Sequence, residues 1–419
     1  MTNQAIHKTL LGNAIRVVTK NIPHVQTIAM GVWINVGARD ESTDESGLSH
    51  FIEHMIFKGT TSRSAYQIAK ELDAIGGHAN AFTAMEHSCF FARFYHTHLE
   101  KIIDILFDIL LSSTFDPQEI DRERQVILQE LRMLEDDPDD YVNYLTGKAY
   151  WGDHPMGRSI LGTRESIQSF DSATIRSYFR QRYSPEKIVI ALAGKLNHDP
   201  IVERLEKAFG RIPAQENTIE RQPPAPVSKK TVQYRDLEQV HVCLGGKGYS
   251  LESSKRYPFS LLNVILGGNM SSMLFQEIRE RHGLAYTVYS SPLMFTDSGM
   301  QTIFMALEPS KVKEALSLVH QTLDRLINTE ISESTLSEAK EYAKATIQLS
   351  EESINNQMVR LAQTELFYGR YIPIEEIIKY IDRVTPVEIQ SMAQDILHMD
   401  HMAMALLGPV DENIIFSKN

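Results

Sequence analysis

Two halves of this 419-residue chain repeat one order of strands and helices, and that duplication restricts the fold more than any other feature. Each half opens on strand-like sequence, residues 27–35 in the first and 240–246 in the second. A helix follows, 50–57 against 259–266, and then a strand pair, 80–83 with 90–94 against 285–290 with 301–306. An amphipathic helix at 99–111 is matched at 312–326, and a long charged helix at 117–134 is matched at 333–349. Both halves close on a short helix and an apolar strand, 188–194 and 402–408. Hairpin-like strand pairs mixed with helices predict an α+β fold of two homologous α/β units. Each unit is a mainly antiparallel sheet with helices packed on one face. Between the halves lies residues 213–230, with Pro223, Pro224 and Pro226, which cannot supply the amide donors of a helix or sheet. The division is therefore a domain over 1–212, a linker over 213–230 and a second domain over 231–419.

Within the first half, His50-Phe51-Ile52-Glu53-His54 carries the chemistry. At about 100° per residue the two histidines project about 40° apart on one helix face, so two imidazoles can grip one metal. Glu53 lies about 60° to the other side of His50, placed to address a water beside the metal rather than the metal itself. Catalytic zinc takes three protein ligands and lowers the pKa of the water it binds from 15.7 to about 7, within reach of a carboxylate base. The best candidate for the third ligand is Glu130. Glu123 and Glu130 fall within about 20° on the face of the long helix, where two carboxylates repel unless a cation or hydrogen bonds occupy the space between them. One can bind zinc while Glu123 orients a ligand or the water from behind. The pattern His-x-x-Glu-His is itself the inverzincin signature.

The agreement extends further. Residues 47–60 (Gly-Leu-Ser-His-Phe-Ile-Glu-His-Met-Ile-Phe-Lys-Gly-Thr), 76–83 (Gly-Gly-His-Ala-Asn-Ala-Phe-Thr), 154–163 and 279–286 together resemble the pitrilysin family, in particular its mitochondrial-processing-peptidase-like branch. The resemblance covers nearly the whole chain in order. It implies one zinc per chain on His50, His54 and Glu130, Glu53 as general base and Glu123 in support. It also implies that Arg279 and Tyr286 contact the substrate carbonyl, as a cation and a phenol suit a developing oxyanion. By strand position alone Tyr286 reads as a core residue. Asn80, Ala81 and Thr83 resemble the family's edge strand, which pairs with an extended peptide. Met273 stands where the family often has arginine, which bears on substrate preference. His78, His87 and His154 share no ligand spacing with the motif and read as structural.

These features predict a zinc metalloendopeptidase acting on unfolded or extended peptides inside a dimeric chamber. The alternative is a noncatalytic peptide-binding or structural subunit of the same fold. One chain holds both the metal motif and the Arg279/Tyr286 pair, so the expected assembly is a homodimer in which that pair serves the partner's zinc. A net charge of −12, from 42 basic and 54 acidic side chains, argues against nucleic-acid or anionic-membrane binding. Residues 1–16 lack a secretory pattern, no apolar run approaches the ~20 residues of a membrane span, and Cys89 and Cys243 stand alone. A cytoplasmic location follows.

Overall fold

A computed structural model describes residues 6–212 and 220–411; residues 213–219 of the proline-rich stretch lie outside the described residues. Residues 220–229 carry neither helix nor strand, as the prolines require.

The chain forms two compact units, each with one sheet. In the first, β1 (Ile6–Leu10), β2 (Arg16–Asn21), β3 (Thr27–Ile34), β4 (His78–Thr83), β5 (Ser88–Tyr95) and β6 (Ile188–Gly194) lie in the order β1-β2-β6-β3-β5-β4. Every pairing is antiparallel except β2 with β6. In the second, β7 (Lys230–Tyr234), β8 (Val240–Lys247), β9 (Ala285–Met294), β10 (Gly299–Leu307) and β11 (Ala403–Gly408) lie in the order β7-β11-β8-β10-β9, with only β7 and β11 parallel. Apart from β1, the two sheets have one topology, so the duplication read from the sequence is a duplication of structure. Each ends on the earlier strand of its hairpin-like pair, β4 in one sheet and β9 in the other.

β3 and β6 are apolar almost without alternation because both of their faces are covered. Ile28, Met30, Val32 and Ile34 face a core built with the helices of their own half, among them Leu99–Leu111, which buries Ile102, Leu106 and Ile109. Ala29 and Trp33 face the other way, onto Ile354, Met358, Leu361 and Ala362 of the Ile354–Tyr368 helix. That helix comes from the second half of the sequence. Trp33 Nε1 donates to Met358 Sδ at 3.3 Å. A β-carbon on Gly31 would stand 2.6 Å from Trp33 Nε1 and 2.7 Å from Met358 Sδ, so the helix seats this closely only over glycine.

The second unit is arranged in the same way. The Pro138–Trp151 helix, from the first half, places Val142 against Cys243, Phe304, Ala405 and Leu407. The helices each half keeps cover one face of its sheet, as expected; the opposite face is covered by one helix exchanged from the other half. The first unit therefore draws on Met1–Arg132, Ser159–Arg221 and Leu349–Tyr371, the second on Met133–Arg158, Gln222–Gln348 and Ile372–Asn419. Both exchanged helices follow the long charged helix of their half, so they occupy equivalent positions in the repeat. Among the described residues, no helix is long and apolar enough to cross a membrane. Cys89 and Cys243 are free and buried.

Candidate metal centre

The motif sits on the Leu48–Met55 helix, which buries Leu48, Phe51, Ile52 and Met55. These positions, three and four apart, pin one stripe to the core and turn His50, Glu53 and His54 off it. The helix begins at Gly47, whose φ of 93° is left-handed and whose β-carbon would meet Leu161 O at 2.6 Å. Its free amides are capped by Glu41, whose carboxylate accepts from Gly47 N and Ser49 N, both at 2.7 Å. Ser49 Oγ and Tyr178 OH share a 2.9 Å hydrogen bond beneath the same turn.

Glu130 arrives from the Pro117–Asp136 helix. Its Oε2 lies 3.6 Å from His50 Nε2 and 3.4 Å from His54 Nε2. Donors about 2.1 Å from a tetrahedral zinc stand about 3.4 Å apart, so the two separations from Glu130 match coordination edges of that ion. Among the described residues this trio is the one group of three or more such side chains whose ligand atoms converge, all within 4.8 Å of one another. Two imidazoles and a carboxylate form the donor set of a catalytic zinc site that leaves a fourth position open.

Glu123, seven residues before Glu130, backs the site. Its Oε2 is 3.0 Å from His54 Nδ1, and its Oε1 is 2.5 Å from Lys58 Nζ. The bond to Nδ1 favours the tautomer that turns the Nε2 lone pair toward Glu130. Of the two candidate histidines, Glu123 contacts His54. Sequence reading treated Lys58 only as part of the motif's tail; Lys58 follows His54 by four residues, a spacing that hints at proximity. Glu41 gave no such signal, because a cap six residues upstream of Gly47 depends on how the intervening loop folds.

The charges are mutually consistent. Burial, aided by His54, drives the His50 imidazole down to about 3, which keeps it neutral and able to bind metal. Burial also pulls on His54, but the Glu123 hydrogen bond and the carboxylates of Glu130, Glu123 and Glu53 outweigh it and raise His54 above its ordinary value. Burial would raise Glu123, yet His54 and Lys58 hold it below the usual carboxylate range. Glu53 is raised, chiefly by burial. Its Oε2 accepts from Thr83 Oγ1 at 2.6 Å.

β4, with Asn80, Ala81 and Thr83, is the edge of the first sheet, paired to β5 through Asn80↔Phe91, Ala81↔Phe90 and Thr83↔Ser88. Asn80 Oδ1 accepts from Ala81 N at 2.8 Å. In the second unit, the Arg279 guanidinium lies 4.6 Å from the Tyr286 ring and 4.7 Å from that of Phe275. Tyr286 is 78% exposed, so its strand position does not make it a core residue. Met273 packs against the second unit's core. His78, His87 and His154 stay outside the metal cluster. His78 faces Phe91, His87 sits among Trp33, Phe82 and Phe367, and His154 caps a turn by accepting from Met156 N.

A family model described as insulinase, peptidase family M16, matches residues 16–164, and one described as the peptidase M16 inactive domain matches residues 169–342. The chain belongs to peptidase family M16. It is 38% identical over 397 residues to an uncharacterized zinc protease, YmxG, of Bacillus subtilis, covering 95% of this chain and 97% of that one. An uncharacterized zinc protease of Mycobacterium leprae is 37% identical over 412 residues, covering 96% and 91%. The fold matches the crystal structure of a protease from Helicobacter pylori with a TM-score of 0.89 at 21% identity, covering 97% of this chain and all of that one (100%). A peptidase M16 inactive domain from Pseudomonas fluorescens matches with a TM-score of 0.90 at 18% identity, covering 97% and 98%. At those identities the two structures speak for the fold of this M16 chain alone.

Proposed function

We propose that this M16 chain is a zinc metalloendopeptidase that hydrolyses extended peptides. The observation that carries the proposal is the convergence of His50 Nε2, His54 Nε2 and Glu130 Oε2 at zinc-coordination spacing. Zinc held there, one per chain, would supply a Lewis acid and make water acidic enough to attack at neutral pH. Glu53 takes the proton from that water and passes it to the departing amine nitrogen. The free edge of β4 adds the peptide as a further strand, through Asn80, Ala81 and Thr83. Arg279 and Tyr286 donate to the substrate carbonyl oxygen as it gains charge. The chain works as a homodimer in the cytoplasm, with this pair serving the partner's site. Intact His50, Glu53, His54 and Glu130 support an active enzyme over a noncatalytic subunit.

The test is cleavage of a mixed set of unfolded peptides, followed by mass spectrometry, with and without a chelator. Cleavage that a chelator stops and zinc restores is expected, and Glu53→Gln should lower it about 10²–10⁴-fold while keeping zinc. Equal cleavage with and without bound metal would overturn the reading.

A further inference from the structure

Thr83 ends the edge strand, and both its backbone and its hydroxyl are turned to Glu53. The Oγ1 hydrogen goes to Glu53 Oε2 at 2.6 Å, and a hydroxyl has one hydrogen to give. Both ends of this bond are held firmly. Glu53 rides on a helix whose Phe51, Ile52 and Met55 are fully buried. Thr83 leads into a tight connection in which Ala84 N donates to His87 O at 2.8 Å. That connection is itself gripped: Ala38 N donates to Ala84 O at 3.1 Å and Arg39 N to Met85 O at 2.8 Å. A buried ion pair, Arg39 with Glu86 at 2.6 Å, reinforces it. Threonine adds stiffness of its own, since branching at Cβ restricts χ1.

A glutamate's last torsion is broad and roughly two-fold, so an unrestrained carboxylate presents either oxygen at many angles. With Oε2 tied to Thr83, Oε1 is the oxygen left to receive a proton. We propose that Thr83 is the positioning residue of the general base, fixing the Glu53 carboxylate so that Oε1 takes the proton, rather than a side-chain contact for the peptide. One residue would then tie the strand edge where the peptide lies to the base that acts on it. This assignment rests on the peptidase reading above.

The experiment compares Thr83→Val and Thr83→Ser with the wild-type chain in zinc content, zinc affinity of the metal-free protein, kcat and KM. Valine keeps the shape and branching but removes the hydroxyl; serine restores it. The expected result for Thr83→Val is a fall in kcat of about 10–100-fold, the range for removing a group that orients another. KM, zinc affinity and thermal midpoint should stay near wild type, and Thr83→Ser should recover most of kcat. On the Glu53→Gln background, Thr83→Val should cost nothing further, because the group it orients is gone. Wild-type kcat in Thr83→Val, a loss confined to KM, a matching loss of zinc affinity, or no recovery with serine would each overturn the assignment while leaving the peptidase reading intact. A wild-type chain that cleaves no peptide would instead overturn that reading, and this assignment with it.

Discussion

Glu123→Gln tests how the metal centre is braced. The carboxylate at 123 accepts on both oxygens, from His54 Nδ1 at 3.0 Å and from Lys58 Nζ at 2.5 Å. Glutamine has the same shape but one acceptor and one donor, so it cannot serve two donors at once. If its oxygen faces His54, its NH2 meets the lysine ammonium; if it flips, its NH2 meets the imidazole N–H. Lys58 has a side chain 32% exposed and can swing to water, so the oxygen should keep His54 and Lys58 should be released. The loss is then one charge-assisted bond plus the negative charge behind the imidazole. A bond of that kind is worth about 1.5–3 kcal/mol, and partial exposure of Lys58 discounts it toward the lower end. Zinc affinity should fall about 10–100-fold, the range for groups that orient a metal ligand. Lys58→Met alone removes the outer link and keeps the carboxylate on His54, so its effect should be smaller. The double variant should bind zinc no worse than Glu123→Gln, because the donor meeting a donor has been removed. Competition against a chromogenic chelator at pH 7.5 measures all three. Wild-type affinity in Glu123→Gln, or strictly additive losses in the double variant, would refute the bracing scheme.

Mixing a Glu53→Gln chain with a Tyr286→Phe chain should recover up to about half of wild-type peptidase activity by site counting in a two-fold dimer; no recovery despite demonstrated subunit exchange would refute action across the dimer. Met358→Ala should destabilise the first unit by about 2–5 kcal/mol in urea unfolding, because Met358 is 1% exposed and bonded to Trp33; a change below 1 kcal/mol, within error of a surface substitution of about 0.5 kcal/mol, would show that the exchanged helix is not needed. The His87 imidazole is driven down to about 4 by burial, aided by Arg221, from an ordinary 6.5. The unfolded chain therefore binds the extra proton between those values, and stability should fall as pH drops through that window, by at most about 3.4 kcal/mol. Urea midpoints at pH 7 and pH 4.5 should show this dependence reduced in His87→Gln, and an unchanged dependence would exclude His87 as its source.

What could be read without a structure was whatever repeats along a helix or strand. The Leu99–Leu111 helix and the β6 strand fall on the predicted boundaries. Helical phase alone placed His50 beside His54 and Glu123 on one face with Glu130, and the remaining step, bringing two helices together, was supplied by the family resemblance. Tyr286 shows the limit of local pattern: its strand reads as core, yet it lies at a sheet edge where exposure depends on which strand comes next. The exchange of the Pro138–Trp151 and Ile354–Tyr368 helices, the Lys58 link behind Glu123 and the hydroxyl of Thr83 on Glu53 all lay beyond sequence reading. Nothing in a helix's own apolar face says which of two similar sheets it covers; complementary packing decides that, as Gly31 beneath Met358 does here. Hydrogen bonds such as Thr83 to Glu53, thirty residues apart, exist only once the strand edge and the motif helix have been packed side by side. Periodicity thus determined the repeat and the helix faces that carry the candidate ligands, while tertiary packing decided how those side chains and Glu53 are held.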